Sequence, residues 1–71
     1  MRLRIKGYQS EDFEIEITDV NGKEIPTYVV RQETFYGWVC DLTIKNILAG
    51  VYFVNFSSPN HHEIIKVLKA D

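Results

Sequence analysis

The chain has 71 residues, 45% of them hydrophobic and 13% aromatic. That is enough for a single domain over residues 1–71 and excludes both a second domain and a disordered segment. The net charge of −2, from ten acidic and eight basic residues, excludes the concentrated basic face of a nucleic-acid binder. The longest apolar runs fall far short of the ~20 residues that cross a bilayer, and no apolar stretch follows the charged start Arg2-Leu3-Arg4-Ile5-Lys6, so no ordinary secretory signal is expected here.

Along the chain the hydrophobic period is two almost everywhere, which is the period of strands. Leu3 and Ile5 alternate with Arg2, Arg4 and Lys6, and Gly7 to Glu11 reads as a turn. Phe13, Ile15 and Ile17 alternate with Glu14, Glu16 and Thr18, a half-buried strand with an acidic outer strip that includes Asp12. Ile25 to Arg31 is β-branched and aromatic and reads as one strand. Trp38, Cys40, Leu42 and Ile44 alternate with Val39, Asp41 and Thr43, and Asn46 to Gly50 is a connection. In the next strand Tyr52, Val54 and Phe56 would line one face and Val51 and Phe53 the other. Ser57 to Asn60 is a turn cluster, and Ile64, Ile65, Val67 and Leu68 close the chain with Lys66 and Lys69 among them. Only Leu42 to Leu48 could be a helix, and it is short and β-branched. Six or seven short strands at this spacing suggest an all-β sandwich or barrel, read here as two packed antiparallel sheets. Leu3, Ile15, Ile17, Trp38, Leu42, Tyr52, Val54 and Phe56 are expected to contribute to its core.

Asp19-Val20-Asn21-Gly22 is the strongest turn signal, and two registers are open. A type I′ turn on Asn21-Gly22 sets Ile17 against Pro26 and Ile15 against Tyr28. A type I turn with a glycine bulge sets Ile17 against Ile25 and Phe13 against Val29. These put opposite residue sets into the core. Asp at the first turn position and Gly at the fourth favour the bulged form. Pro26 has no N–H to give and is expected at an edge or an irregularity.

Little in the chain points to chemistry. His61 and His62 would point to opposite faces of a strand, which does not converge on a metal. Asp19-x-Asn21 begins like a calcium loop, but Gly22 is at the fourth position and Val30 occupies the twelfth, where a glutamate is needed. Cys40 is the only cysteine, is in phase with Trp38 and Leu42, and is expected to be buried and unreactive. No nucleophile–base pair, phosphate loop or cofactor motif is visible, so an enzyme is not expected and cofactors are expected to be none. Tyr28, Phe35, Tyr36, Trp38, Tyr52 and Phe53 are core candidates by default; any that are exposed would mark a partner surface.

Three segments carry a resemblance. Leu42 to Val54, LTIKNILAGVYFV, resembles the run apolar, Asp, Leu, Ser, Asn, Leu, x, x, Gly, Val, Tyr, Phe, Val of the C-terminal sorting domain of the type IX secretion system of Bacteroidetes. Ile15 to Lys23 resembles that family's strand and turn, apolar, x, apolar, x, Asp, x, x, Gly, Lys, and Ile65 to Lys69 is similar to its last strand of apolar residues and lysines. Thr43 stands where the family commonly has Asp, and its Pro-Asn-Pro-type opening is missing. The resemblance implies an immunoglobulin-like sandwich that acts as a secretion signal at the end of a larger precursor. The cargo would then lie N-terminal to the domain and travel from the periplasm to the outer membrane, the cell surface or the medium. The implied partners are the outer-membrane translocon and a sortase. The residues implied in translocon recognition are Gly50, Tyr52, Val54, Lys66, Val67 and Lys69, beside the turn residues Asp19, Asn21 and Gly22. A small immunoglobulin-like or prealbumin-like spacer or binding module is the alternative function for the same sandwich.

Overall fold

The computed structural model describes residues 1–8 and 13–70. Seven strands follow one another as β1 (Arg2–Tyr8), β2 (Glu14–Asp19), β3 (Glu24–Ile25), β4 (Tyr28–Thr34), β5 (Gly37–Thr43), β6 (Gly50–Ser58) and β7 (His61–Lys69). They form a three-stranded sheet ordered β1-β5-β4 and a four-stranded sheet ordered β3-β2-β6-β7, with every pairing antiparallel. There is no helix among the described residues. The short helix candidate dissolves into the end of β5 and the connection to β6.

The two sheets bury their facing side chains in one cluster of Phe13, Ile17, Cys40, Leu42, Ile44, Tyr52, Val54 and Phe56. Leu3, Ile5, Ile15, Ile25, Val29, Trp38, Ile65 and Val67 pack against it half-buried. All eight expected core residues lie in the cluster or against it, but Leu3, Ile15 and Trp38 are only half-buried, whereas Phe13, Cys40 and Ile44 are enclosed. Arg31 faces inward at the end of the core, with its guanidinium carbon 4.6 Å from the centre of the Phe13 ring. Phe13 in turn lies 5.2 Å from Phe56. This cation–π contact places a charge at the core's rim without burying it unpaired. Burial pushes the Cys40 thiol up, with Arg31 pulling weakly the other way.

The β2–β3 hairpin has the bulged turn. Gly22 N–H donates to the Asp19 carbonyl at 3.1 Å, and Asp19 N–H donates to the Lys23 carbonyl at 3.0 Å. The Asp19 carboxylate accepts from the N–H groups of Asn21 at 2.8 Å and Lys23 at 3.0 Å. Gly22 sits at φ +80°. The register is therefore Ile17 opposite Ile25 and Thr18 opposite Glu24.

That ladder then stops, which corrects the single strand expected over Ile25 to Arg31. Pro26 has no N–H to extend it, and the Thr27 hydroxyl donates back to the Ile25 carbonyl at 2.9 Å. The chain leaves one sheet for the other. Val29 consequently lies opposite Leu42 on β5 and never faces Phe13. Two turns are also shorter than expected. β1 continues through Gly7 to Tyr8 with an irregularity in the ladder between Lys6 and Tyr8, while the remainder of the turn expected up to Glu11, and Asp12 with it, lies outside the described residues. Ser57 and Ser58 belong to β6, which leaves Pro59-Asn60 as the turn into β7.

A Cβ built at Gly22 meets no atom within 4 Å, so the whole cost of a side chain there is conformational. Gly22→Ala is expected to destabilise by ~1–2 kcal/mol, the cost of the left-handed region for an L-residue. The measurement is a urea midpoint that falls with an unchanged slope; an unchanged or higher midpoint would contradict the turn geometry. In the native protein Cys40 is expected to resist a thiol reagent that labels it promptly after unfolding, and labelling at the rate of a free peptide cysteine would show that the site opens.

Candidate recognition surface

Each sheet turns its other face outward, and the two faces differ. On the three-stranded sheet, exposed Arg2, Arg4 and Lys6 alternate along β1 beside Val39, Asp41 and Thr43 of β5. Arg4 donates to both oxygens of Asp41, from Nε at 2.7 Å and from Nη2 at 3.3 Å. This pairing holds the Asp41 carboxyl below the usual carboxylate range. The cross-strand pair fixes the outer side of the β1–β5 ladder. At the tip of the β4–β5 hairpin, the Thr34 hydroxyl donates to the Gly37 carbonyl at 2.6 Å and accepts from the Tyr36 N–H at 3.2 Å. Phe35 and Tyr36 project almost fully exposed from this turn, edge to face. Of the six aromatic candidates, Tyr28, Phe35 and Tyr36 are therefore the exposed ones.

The outer face of the four-stranded sheet has an acidic side and an apolar side. Glu14 and Glu16 of β2 stand exposed on it. Asn55 of β6 ties the two halves, with its side-chain amide donating to the Thr18 hydroxyl at 3.2 Å and to the Glu16 carbonyl at 3.4 Å. Toward β7 the face becomes apolar: Leu68 stands opposite Val51, and Lys66 opposite Phe53, with Ile64 opposite Asn55. Ile64 is 58% exposed and Leu68 71% exposed, large values for aliphatic side chains on a sheet.

The residues implied by the resemblance gather on this β6–β7 hairpin. Gly50 opens β6 at φ +154° directly opposite Lys69 at the end of β7. Tyr52 pairs with Val67 on the inner face, and its hydroxyl donates to the Leu48 carbonyl at 2.7 Å. This bond back across the connection resembles the tyrosine corner of other β-sandwiches. It ties down the 45–49 segment, where Asn46 takes a left-handed φ of 59°, and delivers Gly50 to the start of β6. Tyr52 and Val54 are 7% and 1% exposed, so their side chains serve the core and are not reachable from outside. Val67 and Lys69 are half-buried, and Lys66 is exposed. Asp19, Asn21 and Gly22 lie in the β2–β3 turn and share no contact with the hairpin's last strand. The sequence pattern had not separated Ile64 and Leu68 from their neighbours. The run Ile64-Ile65-Lys66-Val67-Leu68 puts apolar residues on both faces, and only the β6 register decides which pair faces out.

Among the described residues no three His, Cys, Asp or Glu side chains converge on a site that could hold a metal. His61 Nε2 lies 3.1 Å from a Glu63 carboxylate oxygen, and His62 faces the opposite side of β7. A shallow open groove where the chain crosses between sheets is lined by Pro26, Thr27, Tyr28, Thr43, Lys45 and Asn46, without a carboxylate, thiol or imidazole among them.

The model of the secretion system C-terminal sorting domain family matches residues 2–70. The chain belongs to that family. No curated protein and no solved structure matches it. Domains of this family are the C-terminal sorting signal for type IX secretion, and this chain is such a signal. A sorting domain interacts with the type IX secretion machinery, and its cargo is secreted or held at the cell surface. As a family, sorting domains are recognised rather than catalytic. The all-β sandwich that the resemblance implied is the fold observed.

The Tyr52 bond gives the sorting domain a testable joint. Tyr52→Phe keeps the buried ring and loses only the hydroxyl, so stability is expected to fall by ~1 kcal/mol, the net worth of one such hydrogen bond. Thermal unfolding measures it. A variant as stable as the parent would mean that the 45–49 connection is held by other contacts.

Proposed function

We infer that the sorting domain is read by the outer-membrane translocon through its folded C-terminal hairpin, with the cargo lying ahead of it in a larger precursor that a sortase then processes. The observation that carries this reading is the position of β7. It is paired with β6 along its full nine residues, from Ser58 opposite His61 to Gly50 opposite Lys69, and among the described residues no strand lies on its other side. Residues 1–71 form the single unit that is read. Lys66 is the accessible recognition residue at the centre of β7. Gly50, Val67 and Lys69 set the end of the hairpin, while Tyr52 and Val54 act from the core by holding β6 in place. The domain contributes no catalysis to the process, because recognition of a folded surface needs none.

The test is a reporter fused ahead of residues 1–71 in the periplasm of a bacterium with a working type IX system, beside the reporter alone and the same fusion ended after Asn60. The full fusion is expected at the cell surface and the other two in the periplasm. A full fusion that stays in the periplasm, while its domain resists protease there, would overturn the sorting role in favour of an accessory module. Surface display of the fusion ended after Asn60 would remove β7 from the account.

A further inference from the structure

We propose that β7 binds its partner by strand addition, taking on its free edge an extended segment that carries a carboxylate flanked on the same face by apolar residues. The proposal deepens the sorting reading and rests on it only for which machine supplies the segment. A free strand edge presents unpaired backbone N–H and C=O groups, and such edges pair with another strand unless they are blunted. β7 is among the longest strands of the fold, runs opposite β6 without a bulge, and contains no proline. Its outer face reads Ile64, Lys66, Leu68, an apolar–cation–apolar triplet beside Val51 and Phe53 of β6. Lys66 makes no ion pair among the described residues. The outward carboxylates of its own sheet stand away from it: Glu16 is two strands away, aligned with Asn55 and Ile64, and Glu24, in the row of Thr18, Phe53 and Lys66, is three strands away.

The charge also decides against the simplest competitor, a second copy of the chain. Antiparallel self-pairing that matches the apolar residues would set Ile64 against Leu68, Ile65 against Val67 and Glu63 against Lys69. That register places Lys66 directly opposite Lys66 of the second copy. Like charges facing each other across a ladder are destabilising. Shifting by two residues in either direction, the smallest slip that keeps the faces in phase, leaves Lys66 against Ile64 or against Leu68. The edge therefore opposes its own copy while remaining open to a strand with Glu or Asp opposite Lys66. Alternate side chains on the added strand supply the specificity, and the backbone supplies most of the affinity.

The experiment uses the folded domain and two synthetic peptides, one centred on Val-Thr-Glu-Thr-Val and one on Val-Thr-Lys-Thr-Val, followed by amide hydrogen exchange and NMR shifts. The Glu peptide is expected to bind more tightly than the Lys peptide, by about fivefold or more for turning a favourable cross-strand pair into a repulsive one, and to protect amides of residues 63–69 while leaving those of β1 and β4 unchanged. Lys66→Glu, an exposed change that leaves the core intact, should reverse the preference. Equal binding of both peptides, protection on another strand, no binding at millimolar peptide, or dimerisation of the domain through β7 would each overturn the proposal. In the reporter fusion, Lys66→Glu should lower surface display while the parent domain still exports. If the parent fails, the sorting reading fails. If parent and variant export alike, only the strand-addition proposal fails.

Discussion

Two buried triplets meet at the centre of the molecule, Cys40, Leu42 and Ile44 from the β5 side and Tyr52, Val54 and Phe56 from β6. The rest of the structure depends on that contact. Each of the larger side chains contributes roughly 1.5–3 kcal/mol on burial, in a domain so small that only about 60% of its unfolded surface is buried at all. β5 and β6 are also paired on both sides, to β1 and β4 in one sheet and to β2 and β7 in the other, whereas the second partner of β2 is only the two-residue β3. Removing side chains from either would uncover the core and loosen two ladders together. The edge strands contribute half-buried residues such as Leu3, Val29, Ile65 and Val67, which seal the core without forming its centre.

This division between centre and edge links the fold to sorting. β6 is invested in the core, so the side chains on it that the family resemblance singles out, Tyr52 and Val54, are enclosed. β7 is attached to the core through Ile65 and Val67, with the His61 ring beside Phe56 at its start, and among the described residues its outer face and one backbone edge are uncommitted. A sorting signal needs a surface of its own, and an edge strand with an outward face meets that need. Lys66 places a positive charge on that edge, and such a charge discourages pairing between copies.

Much of this was legible in the sequence because period two is unambiguous where polar and apolar residues alternate, as in Phe13 to Thr18 and Trp38 to Ile44. At the Asp19–Gly22 turn the residue types favoured the bulged register without deciding it, and the structure decides it, with Asp19 capping two N–H groups and Gly22 at φ +80°. What could not be read was sheet membership. Nothing local in Ile25 to Arg31 says that the chain changes sheets, although Pro26 marks the place where it does. Burial at strand ends also escaped: Ile44 is enclosed because Met1 pairs with it, its N–H donating to the Met1 carbonyl at 2.8 Å, a contact 43 residues distant in sequence. The outward aromatics Phe35 and Tyr36 follow from a two-residue hairpin turn that sequence alone had not located. The residues that the resemblance implies in recognition fall on one hairpin, β6–β7. Their separation into buried and accessible ones needed the β6–β7 register.

The central claim is that β7 is read in place, as part of the folded sandwich. The direct measurement is surface display of a reporter fused to a domain in which Val51→Cys and Leu68→Cys, directly opposite on β6 and β7, form a disulfide in the oxidising periplasm. Opposed residues of an antiparallel pair lie within the Cα separation that a disulfide spans. Each single substitution, which cannot bridge, serves as the control for the change of side chain. The account predicts that the locked domain is displayed as well as the single variants, because the strand never has to leave β6. Display of both single variants with retention of the locked domain in the periplasm would contradict it, and would mean that β7 must detach before it is recognised.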